Sequence, residues 1–251
     1  MGKQTNKVNY TSVEVDEDNL AKFLEWCINK GTSRETCQGY VRQLRSGFRP
    51  ESKWNRLAWK SYYKFIGRMD LWEELKTRRS GVDLYVPNDE EMIDTIVSAC
   101  ETSLALCWTY KLLVYSGSRL VEITKLLGEH REDKWIEKDG YYKYPLSWTR
   151  GMKSVFYIYT VEKPPRVKIS SHWVSNWASK IKPDSVRPKY VRKWVATKMM
   201  ELGIPEEVVN FIQGRHPRSV LAQHYLKLSL LADNYYEKYT RWIRGWIKDK
   251  F

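Results

Sequence analysis

The stretch FIQGRHPRSVLAQHYL, residues 211–226, holds residue types suited to phosphodiester chemistry. His216 sits in a Gly-Arg-His-Pro turn, and Tyr225 follows nine positions on. A phenol oxygen can attack phosphorus, but its ordinary pKa of about 10 means that it needs cations or a base beside it. Upstream, Arg119 stands in YSGSRLVE, and Lys189 and Arg192 stand in RPKYVRKW. Guanidinium forks bind phosphate oxygens in pairs and keep their charge at neutral pH. Arg119 and Glu122, three apart on one helix face, also read as a plain structural ion pair.

The whole composition points the same way. The chain has 251 residues and a formal charge of +13. Such a surface releases counterions from nucleic acid and binds it without regard to sequence. The basic residues are interleaved with 12 Trp and 17 Tyr, so a basic groove on a folded body is expected in place of a basic tail. A hydrophobic share of 42% is enough for a core. No apolar run is long enough for a membrane span, and the start has no apolar leader, so a cytoplasmic protein without membrane contact is expected. Cys27, Cys37, Cys100 and Cys107 form no Cys-x-x-Cys pair. They read as buried free thiols and not as zinc ligands.

The elements that must position these groups fall into two sets. Residues 1 to about 14 are polar. Three or four short helices follow, starting at DEDNLAKFLEWCINKG and TSRETCQGYVRQLRSG, with Thr32 or Ser33 as a cap. Their basic faces offer Lys60, Lys64, Arg68 and Arg78 as contacts for DNA phosphates. SGVDLYVPNDEE reads as a linker, so one domain spans 1–84 and the other 85–251, with Asn88 or Asp89 capping the next helix. The pattern from there through SLALCWTYKLLVY is apolar nearly all round, which marks a core helix. Ser116-Gly117-Ser118 interrupts it, and Arg119 opens a new helix. WIEKDGYYKYPLSWTRGMKSVFYIYTVE is rich in aromatic and β-branched residues, and Thr149-Arg150-Gly151-Met152 reads as a hairpin turn. A helix follows from about Ser171, with His172 as a capping or surface histidine. In KYVRKWVATKMMELG, Val191, Val195, Met199 and Leu202 form a buried stripe, while Lys189 and Arg192 share another face. The last segment is amphipathic, with Tyr239, Trp242, Ile243, Trp246 and Ile247 on one stripe. The fold class is mainly α with a small antiparallel β-sheet.

Taken in order, these pieces resemble the tyrosine recombinase, or phage integrase, family. YSGSRLVEI resembles its first arginine box, WTRGMKSVFY its lysine hairpin, KYVRKWVATKMMELGIP its second box and IQGRHPRSVLAQHY its Gly-His turn and nucleophilic tyrosine. The resemblance covers roughly residues 85 to 230, and the N-terminal helices resemble the family's core-binding domain. Lys189 stands where most members have His, which is similar to archaeal spindle-shaped-virus integrases. The resemblance implies that Tyr225 attacks a DNA phosphate and forms a 3′-phosphotyrosyl link. Arg119 and Arg192 would bind the non-bridging oxygens, and His216 with Lys189 would move protons and hold the phosphate. Lys153 would protonate the leaving 5′-oxygen. Arg150 competes for that place, but arginine is a poor proton donor. Arg215 likewise competes with His216. Tyr235, Tyr236 and Tyr239 stand as reserve nucleophiles.

The same resemblance implies double-stranded DNA as partner, no cofactor and no metal. It further implies a homo-tetramer on DNA, a dimer at each site and a monomer in free solution; the last helix is a candidate for docking on a neighbour, with packing inside its own chain as the equal alternative. The host would be an archaeal virus or plasmid. A type IB topoisomerase and a non-catalytic DNA-binding regulator on the same fold are the rival readings.

Overall fold

A computed structural model describes residues 10, 13–77, 81–150, 153–215 and 227–248, the side chains of residues 150, 153 and 154 excepted. The chain divides between Asp83 and Leu84 into two compact units.

The first unit is helical. Helix α1 spans Glu17–Asn29, α2 Arg34–Arg45, α3 Lys53–Phe65 and α4 Met69–Glu74. Asp16, Ser33 and Ser52 cap the first three, each accepting from a backbone N–H three residues on. Leu20, Phe23, Leu44, Trp59, Tyr62 and Tyr63 fill the core. Buried Asn55 ties α3 to the loop behind α2: its carbonyl accepts from Arg49 N at 2.7 Å and its amide donates to Gly47 O at 2.8 Å.

The second unit is mainly helical, with one sheet. Helix α5 spans Asp89–Thr102, α6 Leu104–Ser116 and α7 Leu120–Glu129. Asn88 caps α5 through a capping box with Glu91. The apolar pattern does not run through as one helix. It breaks at Ser103, whose hydroxyl accepts from Leu106 N and caps α6. Leu106, Tyr110, Leu112, Leu113, Val114 and Tyr115 of α6 are all fully buried, so this helix is the centre of the unit.

The sheet is antiparallel in the order β1 (Ile136–Lys138), β2 (Tyr141–Arg150), β3 (Lys153–Thr160). Arg150 pairs with Lys153 at the hairpin end, and the register slips between Pro145 and Trp148. Helix α8, Ser171–Asn176, runs into a π-turn at Trp177–Ile181. Its cap is Ser170, with His172 exposed beside it. Helices α9 (Pro188–Glu201), α10 (Glu206–Ile212) and α11 (Leu228–Lys248) complete the unit. The buried stripe of α9 is Val191, Trp194, Val195 and Met199; Leu202, past the helix end, is only half-buried. Among the described residues, no helix is long and apolar enough to cross a membrane.

The thiol reading is corrected. Cys27 bridges to Cys37 and Cys100 to Cys107. Each bridge joins one helix to the next across a turn, so helix packing brings together cysteines 10 and 7 positions apart.

Helix α11 is seated on its own unit. The hydroxyls of Tyr236 and Tyr239 donate to the carbonyls of Tyr115 and Val114 at the end of α6. Trp242 and Trp246 pack on Trp194. One buried ion pair fixes its start: Lys143 Nζ of β2 lies 2.6 Å from Asp233 Oδ2, and Tyr159 donates to Oδ1 at 3.1 Å. Removing one partner leaves the other charge largely buried and without its counter-charge. Asp233→Leu is therefore expected to cost ~3–5 kcal/mol, a fall in unfolding temperature of roughly 10 °C. Adding Lys143→Met should recover most of that loss. Thermal unfolding of the single and double variants checks it; equal losses in both would refute the ion-pair account.

Candidate active site

The site begins with the turn that ends α6. Gly117 takes a left-handed conformation, φ +60°, and its N–H donates to Leu113 O. A Cβ there would stand 2.4 Å from Gln213 Nε2 and 2.9 Å from Val195 Cγ1. The position therefore demands glycine both for its φ and for close packing against α9 and the end of α10. Ser118 N donates to Ser116 Oγ, which closes the turn.

Arg119 is set by this turn. It is the residue before α7, and buried Glu122 accepts both from its backbone N–H and from Nη1, each at 2.7 Å. The same Nη1 donates to Gly214 O at 2.6 Å. The structural ion pair is thus present, and it also aims the side chain. Both side-chain contacts use Nη1, so among the described residues no hydrogen bond holds the Nε–Nη2 edge, which has the geometry to take a bidentate anion.

Arg192 arrives from α9. Pro188 starts that helix and its apolar stripe faces the core, which turns Lys189 and Arg192 to another face. Arg192 Nη1 donates to Gly117 O at 3.1 Å, and Gln213 Nε2 donates to Arg192 O at 3.0 Å. Burial, then the like charges of Arg119 and Arg215, lower the Arg192 pKa to about 9, against an opposing pull from Glu122. Its charge stays in place at neutral pH, at a cost that an anion would relieve.

Arg119, Lys189 and Arg192 line one cavity of about 570 Å³. Arg187 and the hydroxyl residues Ser118, Ser171 and Ser175 line it too, and no carboxylate does among the described residues. Lys189 Nζ lies 4.2 Å from the ring centre of Tyr190. Arg215 is exposed, with Nη1 on Asn210 Oδ1 at 3.1 Å. Such a wall is suited to an anion, and a phosphate would match the paired donors.

Other expected residues stand elsewhere. His216 and Tyr225 lie outside the described residues, as does Arg78. Arg150 and Lys153 are paired through the backbone at the hairpin end. In the first unit, Lys60 Nζ donates to Leu75 O and lies over the Trp72 ring, as does Lys64 at greater distance. Arg68 is engaged with Asp70 at 2.6 Å. Tyr236 and Tyr239 are fully buried, their pKa values pushed well up by desolvation, so neither serves as a reserve nucleophile. Tyr235 is half-buried. Sequence reading missed Arg187 and Gln213. Arg187 precedes α9, so helical spacing did not connect it to Lys189 and Arg192. Gln213 acts through packing that no local pattern shows.

The family model of the archaeal phage integrases matches residues 84–242, well over half of the chain. The chain belongs to that family. Among curated proteins nothing matches. A crystal structure of XerA recombinase aligns over 88% of this chain and 98% of that one, at 14% identity and a TM-score of 0.40. Within this integrase-family chain, Arg119, Lys189, Arg192 and Gly214 all lie inside the matched span.

The cost of the arginine cluster yields a prediction. Folding disfavours the charged form of Arg192, so the cost is fully present below its folded pKa of about 9 and is relieved as pH rises towards 12.5. Arg192→Gln is expected to stabilise the free protein by ~1 kcal/mol, roughly 2–4 °C in unfolding temperature. Inorganic phosphate should stabilise the wild type more than the variant, because Arg119, Lys189 and Arg187 remain in the cavity. Calorimetry with and without phosphate checks this; a variant that unfolds earlier than wild type would refute it.

Proposed function

We propose that this integrase-family chain is a site-specific DNA recombinase that cuts and rejoins DNA through a 3′-phosphotyrosyl intermediate. One observation supports the reading above the others. Arg119 and Arg192, from motifs far apart in sequence, line one cavity that holds no carboxylate among the described residues, and Arg119 donates to Gly214, two residues before His216.

The chemistry follows from charge. The Tyr225 oxygen attacks phosphorus, and the bond to the 5′-oxygen breaks. Negative charge grows on the non-bridging oxygens, and Arg119 and Arg192 meet it with fixed donors that need no reorganisation. Lys153 passes a proton to the departing 5′-oxygen, and Lys189 and His216 assist proton movement and hold the phosphate. The phosphotyrosyl bond keeps the energy of the broken one, so a second 5′-hydroxyl can reverse the step. Neither metal nor nucleotide is required. The first unit would lie on duplex DNA through basic residues such as Lys60 and Lys64.

The assembly would be a dimer at each site and a tetramer across two duplexes, from monomers in solution. The apolar stripe of α11 is occupied by its own unit, so docking on a neighbour falls to its outer faces. The setting would be the host cytoplasm, where a viral or plasmid genome is integrated or excised.

A nicked duplex that traps the covalent intermediate tests this. Wild type should give an adduct that survives detergent. Tyr225→Phe should give none while binding DNA as before, and Arg119→Ala should slow adduct formation by ~100-fold or more. Adducts that persist in Tyr225→Phe would remove Tyr225 as the nucleophile.

A further inference from the structure

We infer that the cavity carries a second phosphate subsite, formed by Arg187 with the hydroxyls of Ser171 and Ser175, for the backbone phosphate next to the scissile one. The inference rests on the proposed function and names the part of the substrate that the rest of the cavity takes. A volume of about 570 Å³ is roughly twenty water volumes, far more than one phosphate group fills. Arg119 and Arg192, held by Gly214 O and Gly117 O, account for one part of the wall. Arg187, Ser171 and Ser175 account for another.

The backbone of Arg187 is fixed and its side chain is not engaged. Its carbonyl accepts from Tyr190 N and Val191 N and opens α9. Pro188 follows, which keeps Arg187 extended. Its side chain is exposed, and no hydrogen bond or ion pair engages it among the described residues. Ser171 and Ser175 are four apart on α8, so their hydroxyls share one face. Buried Val174 and Trp177 hold the other side of that segment in the core. One guanidinium and two hydroxyls make a neutralising, donor-rich cradle for a single phosphate.

The surroundings set the direction. Arg187 also lines a neighbouring cavity of about 680 Å³, where three carboxylates, Glu91, Asp94 and Asp184, outnumber the one other cation, Lys182. None of these carboxylates pairs with Arg187 among the described residues. A polyanion is repelled from that side and drawn to the cationic one. Arg187 thus stands at the border, where a strand leaving the scissile phosphate meets its next charge. It acts as a positioning residue: it fixes the strand and takes no part in bond breaking.

A chemical cycle tests this. The nicked duplex is made with a methylphosphonate, which lacks the phosphate charge, at the position on either side of the scissile phosphate. Arg187→Ala should fold as stably as wild type, because its side chain is exposed. It should slow adduct formation about tenfold, in line with one lost charged hydrogen bond, and flatten the salt dependence of DNA binding by about one phosphate. Wild type should lose a similar factor on one of the two modified duplexes, and Arg187→Ala should lose nothing further on that duplex. Losses that multiply at both positions, or an unchanged salt slope, would overturn the subsite. If wild type forms no adduct on unmodified DNA, the recombinase reading fails instead, and the salt slope and methylphosphonate effects on binding still decide the subsite.

Discussion

The hydrogen bond between Arg192 and the carbonyl of Gly117 is the contact on which the site depends. It joins α9 to the turn that ends α6, the most buried helix of the second unit. Gly117 can present that carbonyl only in a left-handed conformation, with no side chain in the way of Gln213. Gln213 in turn donates to the Arg192 backbone. The next residue, Gly214, gives its carbonyl to Arg119. Three chain segments are thus locked around two guanidinium groups. None can shift without moving a charge, and charges that repel one another stay close only where the surrounding core is rigid.

That rigidity comes from the core behind the turn. Helix α6 is buried from Leu112 to Ser116, and α11 closes over that end through Tyr236 and Tyr239. The Lys143–Asp233 pair joins α11 to the sheet as well. A stable core can bear an unfavourable local arrangement, and binding sites are where such arrangements occur. The buried Ser118 Oγ and Gln213 Oε1, without hydrogen bonds among the described residues, add to it. An anion would relieve part of this cost, so ligand and fold are coupled through one cavity.

The sequence carried some of this and withheld the rest for identifiable reasons. The apolar run of α6 and the stripe of α9 were legible because helical periodicity reports burial directly. Arg119 and Arg192 were legible as motif members. The break at Ser103 was not, because serine is tolerated inside a helix as well as at its cap. The disulfides were not, because pairing depends on how neighbouring helices pack and not on local spacing. The stripe on α11 showed that one face is covered, but amphipathicity never says by what. Arg187 and Gln213 escaped for a related reason: their roles lie in contacts with residues distant in sequence.

The tyrosines sharpen the chemical argument. The second unit buries Tyr110, Tyr115, Tyr141, Tyr159, Tyr236 and Tyr239. Desolvation raises the pKa of every one of them. Tyr110, Tyr141, Tyr236 and Tyr239 donate their hydroxyls to backbone carbonyls, and Tyr159 donates to Asp233. Each of those partners favours the protonated phenol. A nucleophilic tyrosine needs the opposite: cations close to the oxygen and no acceptor holding its proton. The cavity of Arg119, Arg187, Lys189 and Arg192 offers such surroundings, while the interior offers carbonyls and a carboxylate. These buried tyrosines are thereby kept protonated by the fold itself, and the proposed chemistry calls for a tyrosine that meets the arginines instead.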